Sequence, residues 1–486
     1  MLTLRPYQRD ANYQLHTLIN AGRHPILANP TGTGKTKTAI ALIGERISLG
    51  KRIWVLTPQT EIFDQWLVDA SANGLNPGTI NDKGIQGRDR RLYIVMPLSA
   101  VNLLHQIPER LWPDEIITDE CHHSAATTWQ SIYDFFPRAI RIGLTATPLR
   151  TDRRPLSPIY TDIIQTITQR EAIDQGYLAR PLCIVPKDYH ARLEVPGVDI
   201  DTPEGLSRQA AALGETQIIG DVLGSYAYVF AGLPVLVACS TYPHAEQMTA
   251  AFNAAGWKWA HIHSNLPDRE RARLLRDIRT GNLNGLCTVG IGIEGMDIPG
   301  LYGLIWLRRT MSLTIYLQFI GRVLRPLPGK KYGVILDPVG NLFIHGFPDT
   351  DREWSLDGVD PVAPNPDIPT MISCPWCGTY NATSNLVCHF CNRPLVGEEA
   401  EQARKDNSRH LPAMVDGELV AVTSDGMAQE VHRNAEAARE ESREEMGKEE
   451  ARVIPVLTRA ERSGILRGEL FARNRPNFEE AIRGLK

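Results

Sequence analysis

The chain has 486 residues, of which 43% are hydrophobic and 22% charged, and a net charge of −4 from 52 basic and 56 acidic side chains. A length that holds about two to four domains with sizeable cores excludes wholesale disorder, and the near-neutral balance excludes a small, uniformly basic nucleic-acid binder. No run of about 18 apolar residues occurs, and Met1-Leu-Thr-Leu-Arg-Pro lacks a basic segment leading into an apolar one, so neither a membrane span nor a secretory signal is expected, and the expected location is cytoplasmic.

Five short apolar runs punctuate residues 1–150: Ile26-Leu-Ala, Ile53-Trp-Val-Leu-Thr, Leu92-Tyr-Ile-Val, Glu115-Ile-Ile-Thr and Ile142-Gly-Leu-Thr. Each is bounded by polar, Gly or Pro residues, which predicts strands buried on both faces of a parallel sheet. Between the first two, Ala39, Ile40, Leu42, Ile43 and Ile47 line one face of a helix. Residues 151–231 read as a less regular connector with a helix around Gln169 to Gln175. The same rhythm returns over 232–345, with strands at Val235-Leu-Val-Ala-Cys, Trp257 to Ile262, Leu286-Cys-Thr-Val, Leu304-Ile-Trp-Leu and Val334-Ile-Leu-Asp. The pattern is α/β, two parallel-sheet domains in tandem. Residues 346–370, rich in Pro and Asp, read as a linker. Residues 371–397 hold a cysteine cluster. Residues 398–486 form a tail with 19 acidic and 15 basic side chains, expected to be helical or partly disordered.

Four of the eight cysteines, Cys121, Cys183, Cys239 and Cys287, stand alone in apolar stretches and read as small buried thiols. The other four form two CxxC pairs ten residues apart, Cys374-Pro-Trp-Cys377 and Cys388-His-Phe-Cys391. Two such turns present four thiolates to one ion, the tetrahedral set of a closed Zn²⁺ ribbon. With no open coordination position, that zinc would be structural.

Asn29-Pro-Thr-Gly-Thr-Gly-Lys-Thr36 follows a predicted strand and opens a predicted helix, the context a phosphate-binding loop requires. Thr31, Gly32, Thr33 and Gly34 let backbone N–H groups curl around phosphates at a helix N-terminus. Lys35 is expected to reach the β- and γ-phosphates of ATP, and Thr36 to hold Mg²⁺. Asp119 and Glu120 stand where another buried strand ends, on the sheet edge that binds ligands in such folds. Asp119 is expected to position Mg²⁺ and Glu120 to orient and deprotonate the attacking water.

With these residues in place the chain resembles superfamily 2 helicases and translocases of the DEAD/DEAH-like kind, over about residues 2–340. Asp119-Glu-Cys-His122 resembles their DExH box. Leu4-Arg-Pro-Tyr-Gln8 resembles their adenine-sensing element, which implies that Gln8 reads the base. Gly143-Leu-Thr-Ala-Thr-Pro148 resembles the motif coupling nucleotide state to the strand. Val289 to Pro299 resembles the fifth motif, which implies nucleotide contacts for Gly295 and Asp297. Gln318-Phe-Ile-Gly-Arg-Val-Leu-Arg325 resembles the sixth. On a helix, Gln318, Arg322 and Arg325 fall on one face, and both arginines are expected to act as arginine fingers on the phosphoryl transition state. The resemblance implies two RecA-like domains that act on one ATP. It also implies contacts to nucleic-acid phosphates from Thr57, Gln59, Ser99, Ser240 and Thr288.

The double His after Glu120, the run ending at Arg150, and Glu171-Ala-Ile-Asp-Gln-Gly-Tyr-Leu178 resemble the group containing DNA-repair helicases and restriction-enzyme motor subunits. DNA is therefore the expected partner, with an RNA helicase or a partner-stimulated nucleoprotein remodeller as the alternatives. The ribbon or the tail is the expected place for a protein partner to dock. A bacterial source would imply association with the nucleoid, and a phage source the host cytoplasm.

Overall fold

The computed structural model describes residues 2–87, 89–150, 154–186, 204–207, 216–230, 232–263, 266–289, 298, 300–358, 371–373, 380–382, 386–387, 393–397, 400 and 419–422. The chain forms two units, Met1–Leu178 with Asp351–Asn365, and Ala179–Thr350 with Pro366–Lys486.

The first unit is built on a sheet of eight strands: β1 (Pro25–Leu27), β2 (Ile53–Leu56), β3 (Gly78–Asn81), β4 (Gly84–Gln86), β5 (Leu92–Val95), β6 (Glu115–Asp119), β7 (Ile140–Leu144) and β8 (Asp162–Ile164). Their order is β4-β3-β5-β2-β6-β7-β1-β8, with every neighbouring pair parallel except β3 with β4. The central strands are buried on both faces because helices cover both. Alternate residues feed opposite layers. Ile53 and Val55 meet the helices α1 (Pro6–Asn20), α2 (Lys35–Ser48) and α3 (Thr60–Ala72), while Trp54 and Leu56 pack with Trp129, Ile132 and Tyr133 on the other side. Among the described residues no helix is long and apolar enough to cross a membrane.

The segment that reads as connector adds strands to the sheets, and the segment that reads as linker packs on the first unit. β8 pairs with β1 (Ile26↔Ile163), and the Arg23 guanidinium grips Asp162 with Nε on Oδ2 and Nη2 on Oδ1, both at 2.8 Å. The Leu356 carbonyl accepts from Leu156 N (2.7 Å) and Ser157 N (3.1 Å), and Trp354 and Leu356 lean on the first unit's core. Three-residue strands and single apolar side chains leave no periodicity in a sequence, so neither contribution was visible there.

The second unit holds β9 (Arg180–Pro186), β10 (Val235–Cys239), β11 (Trp259–Ile262), β12 (Gly285–Val289), β13 (Gly303–Leu307), β14 (Tyr332–Leu336), the pair β15 (Met371–Ser373) and β16 (Tyr380–Ala382), and β17 (Leu419–Val422). Its main sheet runs β11-β12-β10-β13-β14-β9-β17 and is parallel except for β17 against β9. At Leu419–Val422 β17 departs from the expected helical or partly disordered tail: the apolar run Leu-Val-Ala-Val pairs antiparallel with β9. Cys121, Cys183, Cys239 and Cys287 are free and buried, as read.

Candidate active site

The first unit's motif loops lie at the C-terminal ends of its strands. β1 ends at Leu27 and α2 opens at Lys35, so the glycine-rich turn feeds a helix N-terminus. Gly32 and Gly34 sit at φ +86° and +82°, a left-handed conformation that glycine adopts without steric cost. A Cβ at Gly34 would also lie 2.6 Å from Gln8 Nε2, so the Gln8 amide would have to shift to admit one. Thr33 Oγ1 donates to the Pro30 carbonyl (2.6 Å), and Lys35 Nζ folds back over the loop, donating to the carbonyls of Asn29 (2.9 Å) and Pro30 (3.3 Å). Thr31, Gly32 and Thr36 are half-buried along the same turn.

The adenine-sensing element is built onto this loop. Gln8 Nε2 donates to the Thr33 carbonyl (2.9 Å), Arg5 N donates to Gln8 Oε1 (2.9 Å), and Tyr7 OH donates to the Thr33 carbonyl (2.6 Å). Gln8 is buried with both amide ends engaged, so it braces the P-loop. On the other flank Asn29 Nδ2 donates to Thr166 Oγ1 (3.0 Å), and Thr166 N donates to Asn29 Oδ1 (2.9 Å).

β6 delivers Asp119 and Glu120. Asp119 Oδ2 accepts from Trp66 Nε1 at 2.7 Å, and its Oδ1 accepts from Glu120 N at 3.0 Å. Burial and the neighbouring Glu120 carboxylate push the Asp119 pKa up to about 6, against the opposing pull of the Trp66 hydrogen bond and the Lys35 ammonium. A carboxylate whose charge is poorly compensated and the Thr36 hydroxyl in the first turn of α2 are hard-oxygen donors of the kind that suits Mg²⁺.

Glu120 sits at φ +48°, ψ +53°, and among the described residues it is the one non-glycine with positive φ. That conformation costs a β-carbon residue about 1–2 kcal/mol, and it turns the chain from β6 into the short 3₁₀ turn Cys121–His123. Packing holds the turn in place: Cys121 is buried so tightly against Gly143 that a Cβ there would lie 2.7 Å from its Sγ. His122 Nδ1 is 3.5 Å from Glu120 Oε2 and 3.2 Å from Thr145 Oγ1, and Thr145 Oγ1 accepts from Thr147 N at 3.1 Å. The DExH box and the coupling motif thus share one line of polar contacts.

In the second unit the helix Leu313–Val323 carries Gln318 and Arg322, both buried. Gln318 Nε2 is buried without a hydrogen-bond partner among the described residues. Arg325 corrects the expectation of one shared helical face. The helix ends at Val323, and Arg325 stands in the bend beyond Leu324, where burial lowers its guanidinium pKa. Lys330, which sequence reading missed, donates to the carbonyls of Leu301, Val323 and Arg325 and so ties down that bend. Asp337, also missed, is buried at the end of β14 and accepts from Gly340 N (2.9 Å) and Leu342 N (2.7 Å).

The proposed phosphate contacts separate into two groups. Thr57, Ser240 and Thr288 are 0%, 1% and 0% exposed, so their hydroxyls do not face solvent; Ser240 Oγ donates to the Leu307 carbonyl at 3.0 Å. They stand at strand ends whose inner neighbours enclose them, a placement that spacing alone does not reveal. Gln59, at the N-cap of α3, and Ser99 remain half-buried. Gly295, Asp297, Cys374, Cys377, Cys388 and Cys391 lie outside the described residues.

Residues 1–150 match the family "Type III restriction enzyme, res subunit", and residues 227–326 match "Helicase conserved C-terminal domain". A 51.5 kDa protein of Lactococcus phage (isolate 7-9) is 28% identical over 385 residues, spanning 78% of this chain and 79% of the phage protein. A protein of Halobacterium salinarum assigned as the DNA 3'-5' helicase Rad25 is 30% identical over 310 residues, 61% of this chain and 48% of its own length. The chain therefore spans about half the length of that archaeal relative. Among solved structures, a fragment assigned to the HsdR subunit of a type I restriction enzyme from Vibrio vulnificus YJ016 shares the fold with a TM-score of 0.55. It is 22% identical, and the match covers 73% of this chain and 67% of the fragment.

Proposed function

We propose, from the premise that this chain is an ATP-hydrolysing helicase of the superfamily 2 DExH-like kind, that it couples ATP turnover to movement on DNA. The observation that carries the reading is the line from Asp119 through Glu120 and His122 to Thr145, because it joins the acidic pair to the motif that reports nucleotide state. DNA is favoured by the res-subunit family over residues 1–150 and by the DNA helicase assignment of the archaeal relative. The relative in a phage suits a chain that works in host cytoplasm.

In this reading the Gly32–Thr36 backbone cradles the phosphates, and Lys35 exchanges its two loop carbonyls for phosphate oxygens. Thr36 and Asp119 would hold Mg²⁺, whose positive charge would offset the phosphate charge when bound. Glu120 orients the attacking water and takes its proton, and His122 keeps the Glu120 carboxylate in register with Thr145. Gln318, Arg322 and Arg325 provide the polar and positive groups that stabilise charge on the transferred phosphoryl group.

Comparison of ATP hydrolysis without nucleic acid and with single-stranded DNA, duplex DNA, forked DNA and RNA, at one fixed salt concentration, tests the proposal. Stimulation by DNA and not by RNA is expected. Stimulation by RNA alone would replace the substrate, and stimulation by neither would favour a remodeller awaiting a protein partner.

The cysteine cluster is proposed as a structural zinc ribbon. β15 ends at Ser373 and pairs antiparallel with β16 from Tyr380, and Val387 pairs with Pro394, so paired backbone flanks both CxxC segments. Elemental analysis of the purified protein is expected to find one zinc per chain, lost in Cys377→Ser/Cys391→Ser. A metal-free protein that stays folded would refute the ribbon.

A further inference from the structure

The geometry points to Trp66 as a positioning residue that fixes the Asp119 carboxylate for Mg²⁺, an inference that rests on the ATPase reading above. Trp66 is 1% exposed and lies on the buried face of α3 with Ile62, Phe63 and Ala70. An indole at that position needs only to fill space. Here its one polar atom is spent on the site: Nε1 donates to Asp119 Oδ2 at 2.7 Å across a separation of 53 residues.

An aspartate carboxylate turns freely about its terminal torsion, a broad, roughly two-fold well. A carboxylate that meets a metal must be stopped in one orientation. Two N–H groups stop this one, Trp66 Nε1 on Oδ2 and Glu120 N on Oδ1. Each oxygen keeps a second lone pair for the ion or its water shell. The Glu120 N–H is supplied by the motif itself. The Trp66 N–H comes from a different helix and is the only side-chain hydrogen bond to Asp119 described. Such outer partners of metal-binding carboxylates change metal affinity by about 10–100-fold when removed.

The test uses the full chain and a fluorescent, non-hydrolysable ATP analogue, with binding measured at equilibrium as Mg²⁺ is titrated. In Trp66→Phe, which keeps an aromatic ring and loses the N–H, analogue affinity without metal should match wild type. The Mg²⁺ concentration giving half of the metal-dependent tightening should rise about 10–100-fold. Phe63→Leu, a substitution on the same buried helix face, should leave that midpoint in place. If Trp66→Phe fails to fold, the isosteric benzothienyl analogue of tryptophan at position 66 keeps ring volume while removing the donor, and the same midpoint is read. An unchanged Mg²⁺ midpoint in a folded variant overturns the role of Trp66 alone. A wild-type protein whose analogue binding ignores Mg²⁺ overturns the ATPase reading with it.

Discussion

Glu120→Gln is expected to lower steady-state ATP hydrolysis by about 10²–10⁴-fold, the contribution a positioned general base makes. The substitution keeps the shape of the side chain and removes its capacity to take a proton from water. ATP affinity should stay near wild type, because the P-loop and Lys35 are untouched, so the variant should trap the nucleotide-bound state. Phosphate release and equilibrium nucleotide binding measured side by side check both halves. An unchanged hydrolysis rate would remove Glu120 from the mechanism. The backbone at Glu120 makes this position unforgiving in a second way. Its left-handed conformation is held by the tight packing of Cys121 on Gly143, so bulky β-branched replacements should misplace the turn as well as the carboxylate.

The largest effect on stability is expected at the ion pair of Arg46 and Glu115. Both side chains are nearly fully buried, at 4% and 2% exposure. Arg46 Nε donates to Glu115 Oε1 at 2.8 Å, its Nη2 donates to the same oxygen, and its Nη1 donates to Asn20 Oδ1 at 2.8 Å. Glu115→Ala would leave a buried guanidinium without its counter-charge, which costs about 3–5 kcal/mol. At about 2–4 °C per kcal/mol for a unit of this size, the loss in Tm is roughly 6–20 °C. Replacing both, Arg46→Met with Glu115→Leu, should recover most of that loss, because desolvation of two charges offsets much of their attraction. Thermal melts of the single and double variants decide. A single variant as stable as wild type would show that water reaches the pair. Arg46 is near the C-terminal end of α2, which opens at Lys35, and Glu115 begins the strand that ends at Asp119. The pair therefore ties together the far ends of the two elements that carry the P-loop and the DExH box.

Much of the site was legible because its chemistry is written in short stretches. The P-loop needs eight adjacent residues between a strand and a helix, and that context was readable from Ile26-Leu-Ala and the apolar face from Ala39 to Ile47. Asp119 and Glu120 follow a run that could only be a buried strand. The sixth motif misled at its end. Its spacing placed Arg325 on the helix with Gln318 and Arg322, but the helix stops at Val323 just before Pro326. Residues preceding a proline are pushed out of the helical region, so the signal was present in the sequence and outweighed by the periodicity. The burial of Thr57, Ser240 and Thr288 was not legible for a different reason: whether a strand-end hydroxyl faces in or out depends on neighbours far away in the chain.

The sequence by itself determined the class of this protein, two α/β units with a P-loop, a DExH box and an arginine motif in order. Such features rest on local periodicity and on a few adjacent residues. Tertiary structure alone decided what holds those motifs in working shape. Trp66 finds Asp119 across 53 residues, Arg46 finds Glu115 across 69, and Gln8 closes on the P-loop across 25. The order of strands in the sheet sets each partner. Strand order follows from which buried faces pack together, a long-range property that no window of neighbouring residues contains.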